Sequence, residues 1–296
     1  MASYIHCLRR SRLCYLLVLL LFTGCNALLS QPLIDLQKVI YNKEDESRVD
    51  EVLDHFSEDK EATTSTLIVS VGVHFQETSY VAHTLEVDRE QLVINVREMD
   101  CTTFAEYCLA MAGAIQNTHP TFEQFAAELQ KIRYRDGVIE GYPSRLHYFC
   151  DWIHNNEQKG LIKDMSKKIA NTPLSKQISF MSNHPDSYRQ LKENTSLVEV
   201  IARQEQEISK REMYYVPESM VSEVENQLME GDIVGITTGV EGLAISHVGI
   251  LVKRSGRIHL LHASSAAKKV AVSEKTLEDY LVNSKSATGI MVARPK

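Results

Sequence analysis

The sequence carries no dense basic stripe. Its charge runs the other way, with 32 Lys and Arg against 39 Asp and Glu for a net charge of −7. Neutralising a phosphate backbone takes clustered cations, so nucleic acid is not an expected partner. No apolar run is long enough for a comfortable bilayer span, which takes ~20 residues; the longest, Leu13 to Phe22, is shorter. Internal repeats and low-complexity tracts are absent, which excludes solenoids and collagen-like chains. No HxH or HExxH pattern occurs, so a histidine metal centre has no support and neither a metal nor an organic cofactor is expected. Cysteine is sparse beyond the N-terminus, where only Cys101, Cys108 and Cys150 remain, an odd number. What is present is ordinary: 44% apolar and 24% charged residues in 296, a globular composition.

The first 24 residues read as a removable leader. Arg9, Arg10 and Arg12 precede the apolar run, which ends in Leu21-Phe22-Thr23-Gly24-Cys25. A charged start, a short apolar core and small residues before a cysteine make an export signal resembling the bacterial lipobox. Cleavage after Gly24 would leave Cys25 to be lipidated, giving an exported, membrane-anchored, periplasmic lipoprotein. An ordinary secretory signal or an uncleaved anchor is the alternative. Residues 25–62 read as an acidic lead-in with two short amphipathic helices, the second around Asp45–Phe56, and residues 63–296 as the folded domain, expected to be a monomer.

Within 63–296 the period of the apolar pattern changes. Most segments up to about residue 230 have helical character, including 187–212 with Leu191, Leu197, Val198 and Ile201 at near-helical spacing. From 231 onward short period-two runs read as strands: Asp232–Thr238, Ser246–Lys253, Arg257–Ala263 and Thr288–Ala293. Helices first and an antiparallel sheet last predict an α+β fold.

Two places in this frame carry chemistry. Phe104, Cys108, Ala112 and Ile115 form one apolar stripe of a helix that Asp100 would cap, with Thr102 or Thr103 sharing the work. Cys101 then lies in the first turn, where free N–H groups and the positive dipole end favour a thiolate and could hold an oxyanion. Cys108 falls in the stripe as a buried small hydrophobe. It stands seven residues from Cys101, ~10.5 Å of helical rise and too far for a disulfide. Cys150 has no evident partner. The second place is a hairpin turning at Ser255-Gly256. Pairing about that centre sets His259 opposite Val252 and puts His247, Gly249, His262 and Ser264 on one face, with the first and third of these as diagonal neighbours. His247 is then a candidate base, His262 its orienter, and Ser264 a candidate substrate contact.

These residues stand in a familiar order. The chain resembles the N-acetylmuramoyl-L-alanine amidase-like family of NlpC-type papain-like cell-wall cysteine hydrolases. The resemblance runs from about residue 64 to 295, through SYVAHTL (79–85), LVINVREMDCTTFAEY (92–107), GYPSRLHYFCDWI (141–153), YYVP (214–217), GDIVGITT (231–238), SHVGI (246–250), LLHASS (260–265) and TGIMVARP (288–295). It implies a papain-like fold with the nucleophile at a helix N-terminus packed on an antiparallel sheet. It also makes Cys101 the nucleophile, His247 the base and His262 the third polar member, and it places Tyr80 beside the Cys101 N–H at the oxyanion. The implied activity is hydrolysis of the amide between N-acetylmuramic acid and L-Ala in peptidoglycan fragments, of the anhydro type among them, in cell-wall turnover or recycling. Arg145 and His147, within the third block, become candidates for substrate binding, Arg145 through a stem-peptide carboxylate; an internal ion pair is its alternative. Glu77, Ser79 and His83 replace the small or rigid residues usual around Tyr80. A γ-D-glutamyl-diamino-acid endopeptidase and a non-catalytic, lipid-anchored muropeptide-binding protein are the rival readings.

Overall fold

In a computed structural model of the protein, residues 34–118 and 120–296 are described. The leader, the lipobox and Cys25 lie outside the described residues. Helix α1 (Lys43–His55) starts where Asn42 and Asp45 exchange side-chain-to-backbone hydrogen bonds, and buries Val49, Val52 and Leu53. The acidic start that reads as a lead-in is in fact held down. Asp45, 1% exposed, accepts from the Val96 N–H and pairs with Arg97 at 3.0 Å. Among the described residues, those from Ile34 onward fall in one compact unit with the rest of the chain. The first of the two expected lead-in helices appears, in its described part, only as a single 3-10 turn, Leu36–Lys38.

Helices α2 (Thr64–His74), α3 (Cys101–Ile115) and α4 (Phe122–Arg133) pack on one another, with α3 almost wholly buried. Further helices span Phe149–Gln158 and Ser196–Ser209. The continuous helix suggested for 187–212 is broken, with Asn194 extended between Arg189–Glu193 and the next helix. Trp152 is fully buried and stacks on Phe149 at 4.6 Å, a core role.

Seven strands carry the rest of the argument: β1 (Ser79–Tyr80), β2 (Glu98–Met99), β3 (Ile233–Thr238), β4 (Ile245–Arg254), β5 (Arg257–Ser264), β6 (Lys269–Thr276) and β7 (Ala287–Pro295). They lie in the order β2-β1-β6-β5-β4-β3-β7, continued by Tyr214–Pro217 and Thr172–Pro173. All pairings are antiparallel except that of β1 with β2. The fold is α+β, as the change of period predicts. The four expected strands are present; β6 was not foreseen, because Lys269, Glu274 and Lys275 interrupt its apolar alternation.

The sheet has a core on each face, and strand parity sorts the side chains between them. Val248, Ile250, Leu261 and Ala263 enter the core shared with α2 and α3. Leu251, Ile258 and Leu260 enter the second, which Leu277 and Leu281 of α5 (Leu277–Val282) close.

Candidate active site

The start of α3 is built by Asp100. Its Oδ1 accepts from the Thr102 and Thr103 N–H groups at 3.0 and 2.8 Å, while the Thr103 hydroxyl accepts from the Asp100 N–H at 2.9 Å. That reciprocal cap fixes Cys101 as the first helical residue. β2 leads directly into it, and β1 lies parallel alongside with Tyr80 opposite Met99. Tyr80 is thereby set two residues from the cysteine, and its N–H donates to the Lys268 carbonyl at 2.9 Å. Glu77 and His83, on either side of it, both take left-handed backbone (φ 71° and 64°). Non-glycine residues rarely do so, which makes this loop a strained one. Glu77 is further held by Lys269 at 2.8 Å.

The hairpin forms in the predicted register. Arg257 pairs with Arg254, His259 with Val252 and Leu261 with Ile250. Ser255 and Gly256 both have positive φ (52° and 81°), the requirement of a type I′ turn. Beyond Ile250 and Leu261 the β4–β5 ladder stops, although β5 continues along β6 to Ser264 and β4 continues along β3 past His247. The two strands fork. The start of α3 packs against β4 and β5 here, and the Val248 N–H, next to His247, is near enough to Cys101 to favour its thiolate. His247 and His262 stand together at this fork, near the Asp100 cap of α3, with their rings at 84° and His247 Nε2 2.6 Å from His262 Nδ1. Gly249 makes that face possible. A Cβ there would lie 2.5 Å from Leu260 Cδ1 and 3.2 Å from His262 Cβ.

The electrostatics differ from the sequence expectation. Burial pushes the Cys101 thiol up, to about 12, and the Asp100 carboxylate adds to the rise; the N–H groups that favour the thiolate are outweighed. Burial also lowers His247 to about 4, against the pull of Asp100, and lowers His262 to about 3 with His247 contributing. The resting site thus holds a neutral thiol and neutral imidazoles. Burial raises Tyr80 too, with Cys101 and Asp100 contributing.

The substrate-binding candidates are placed differently. Arg145, 6% exposed, pairs with Glu86 at 3.0 Å and Glu90 at 3.3 Å. Its guanidinium serves an internal ion pair, the alternative reading of this arginine. His147 donates from Nε2 to the Tyr142 carbonyl at 2.9 Å, and burial lowers it to about 3. Its polar edge is likewise spent inside the protein. Ser264 Oγ accepts from the Ala267 N–H at 3.1 Å and so shapes the β5–β6 turn. Cys108 and Cys150 are buried and all three described cysteines are free. Among the described residues no group of three His, Cys, Asp or Glu could hold a metal ion. One neighbour was missed. Tyr280 of α5 packs edge-on to His262, with ring centroids 5.5 Å apart at 89°. Only its helix start, Thr276 with Asp279, is legible as a capping pattern in the sequence.

Comparison with known proteins gives the chain's relatives. The family model described as N-acetylmuramoyl-L-alanine amidase-like matches residues 70–290. The crystal structure of an N-acetylmuramoyl-L-alanine amidase from Bacteroides uniformis is 40% identical, covering 79% of this chain and 99% of that one with a TM-score of 0.76. A Bacteroides fragilis structure, named only provisionally as a xylanase, is 43% identical over 76% of this chain and 99% of its own, with a TM-score of 0.71. A Legionella pneumophila protein at 22% identity, covering 84% of this chain and 95% of its own with a TM-score of 0.63, shares the fold. No curated protein matches. The chain belongs to the N-acetylmuramoyl-L-alanine amidase-like family.

Proposed function

We propose that the protein is a papain-like cysteine hydrolase that cuts the amide between the lactyl group of N-acetylmuramic acid and the L-Ala of the peptide stem in small peptidoglycan fragments. The observation that carries this reading is the fork. There the Val248 N–H close to Cys101 adjoins His247, whose Nε2 is already committed to His262 at 2.6 Å. That leaves Nδ1 of His247 as the base.

Because thiol and imidazole are both neutral at rest, proton transfer accompanies attack. The Cys101 proton passes to His247 Nδ1 as the sulfur–carbon bond forms. The Cys101 N–H and the Tyr80 hydroxyl hold the oxyanion. His247 then returns the proton to the L-Ala nitrogen as the carbon–nitrogen bond breaks. Water, losing its proton to His247, adds to the thioester; the sulfur leaves with that proton and frees the muramyl acid. His262 Nδ1 accepts from His247 Nε2–H throughout, fixing the tautomer and supporting the transient imidazolium. Glycoside cleavage would call for a carboxylate pair, whereas Asp100, beside the sulfur, is occupied in capping α3.

Incubation with defined muropeptides followed by mass spectrometry tests the proposal. The expected products are a free sugar acid and an intact stem, lost by at least a thousandfold in Cys101→Ala and His247→Ala. Cleavage inside the stem would make the enzyme an endopeptidase; turnover surviving Cys101→Ala would reject the mechanism. The leader and Cys25 fit export and lipid anchoring at the periplasmic side of a bacterial membrane. Fatty-acid labelling of the full chain, lost in Cys25→Ala, is the corresponding check.

A further inference from the structure

His262 packs edge-on against two aromatic rings. His247 meets it at 4.8 Å and 84°, and Tyr280 at 5.5 Å and 89°. The hydrogen bond on which the base depends uses one atom of this ring, Nδ1. A half-turn of the imidazole about its Cβ–Cγ bond would replace that nitrogen with a C–H and abolish the bond. His262 is only 4% exposed, so its neighbours decide whether the turn can occur. Gly249 offers no side chain to block it, and the other aromatic ring packed against His262 is that of Tyr280.

Tyr280 is itself firmly placed. Thr276 caps its short helix, donating to the Asp279 carboxylate at 2.8 Å and accepting from the Asp279 N–H at 3.2 Å. Leu277 and Leu281, on either side of the tyrosine, are 1% and 0% exposed in the second core. We propose that Tyr280 is a positioning residue of the amidase: its ring, set at right angles to His262, locks that imidazole in the one orientation and tautomer that can accept from His247. The tyrosine acts through His262 and His247 and makes no bond to the substrate carbonyl. Burial raises the Tyr280 hydroxyl, and Cys101 lies near enough to add to the rise.

The inference rests on the proposed roles of His247 and His262, and its test is chosen to separate the two. Tyr280→Phe, Tyr280→Leu and Tyr280→Met are made in the full chain, with melting temperatures confirming that each folds. With muropeptide as substrate, Tyr280→Phe keeps kcat within about threefold of the parent. Tyr280→Leu and Tyr280→Met lower kcat tenfold to a hundredfold, leave KM within twofold and shift the acid limb of the kcat–pH profile. Imidazole 15N spectra supply a reading that needs no turnover: one tautomer for each of His247 and His262 in the parent and in Tyr280→Phe, mixed tautomers in Tyr280→Leu. Parent-like kcat, acid limb and imidazole spectra in a folded Tyr280→Leu or Tyr280→Met would overturn the positioning role. A parent that leaves muropeptides intact would instead overturn the functional proposal, and the spectra would still decide the role of Tyr280.

Discussion

At the scale of single residues, the instructive case is the charge beside the nucleophile. Asp100 builds the helix start, and the same carboxylate raises the Cys101 thiol and raises His247 against its burial. It therefore disfavours the thiolate at rest and favours the imidazolium that attack creates. With the thiol near 12, its ionised fraction at neutral pH is on the order of a thousandfold below that of an ordinary cysteine of pKa ≈ 8.5. Substrate-free enzyme should accordingly alkylate with iodoacetamide far more slowly at pH 7 than a free thiol does, with the rate still climbing above pH 9. Asp100→Asn separates the two duties of the residue, since Asn also caps well. It should keep α3 intact by circular dichroism, speed alkylation severalfold and lower kcat. Unchanged alkylation would show that the Asp100 charge has no hold on the sulfur.

Elements decide where those residues meet. The β4–β5 ladder ends at Ile250 and Leu261, and a Cβ at position 249 would sit 2.5 Å from Leu260 and 3.2 Å from His262. Gly249→Ala should cost about 1–3 kcal/mol in denaturant unfolding, a typical overpacking penalty, and should reduce turnover of the protein that remains folded, because His262 is among the atoms displaced. Helix α1 gives a contrasting prediction. Removing the Asp45 carboxylate leaves the Val96 N–H and Arg97 without their partner. Asp45→Ala should lose about 2–3 kcal/mol with kcat per folded molecule unchanged. Equal loss of activity would mean that α1 shapes the site as well as the fold.

For the whole molecule the buried histidines set the response to acid. His147, His247 and His262 are held at about 3, 4 and 3, below the ordinary value near 6.5. The unfolded chain takes up protons at these positions that the folded chain refuses. Stability is thus full above pH 6.5 and falls as the pH drops from there toward 4, by about 2 kcal/mol per histidine at pH 5. Melting curves should show a steep decline between pH 7 and 5, shallower in His147→Gln, which lies outside the catalytic pair; a flat profile would contradict the burial described. Much of the frame is local and so was written in the chain. The capped start at Asp100, the hairpin register about Ser255-Gly256 and the shared face of His247, Gly249 and His262 all follow from backbone preferences and strand parity. The packing of α1, the internal pairing of Arg145 with two distant glutamates, the fork near Cys101 and the approach of Tyr280 join residues far apart in sequence. Burial, and with it the neutral state of the thiol and imidazoles, exists only once those segments have closed on one another.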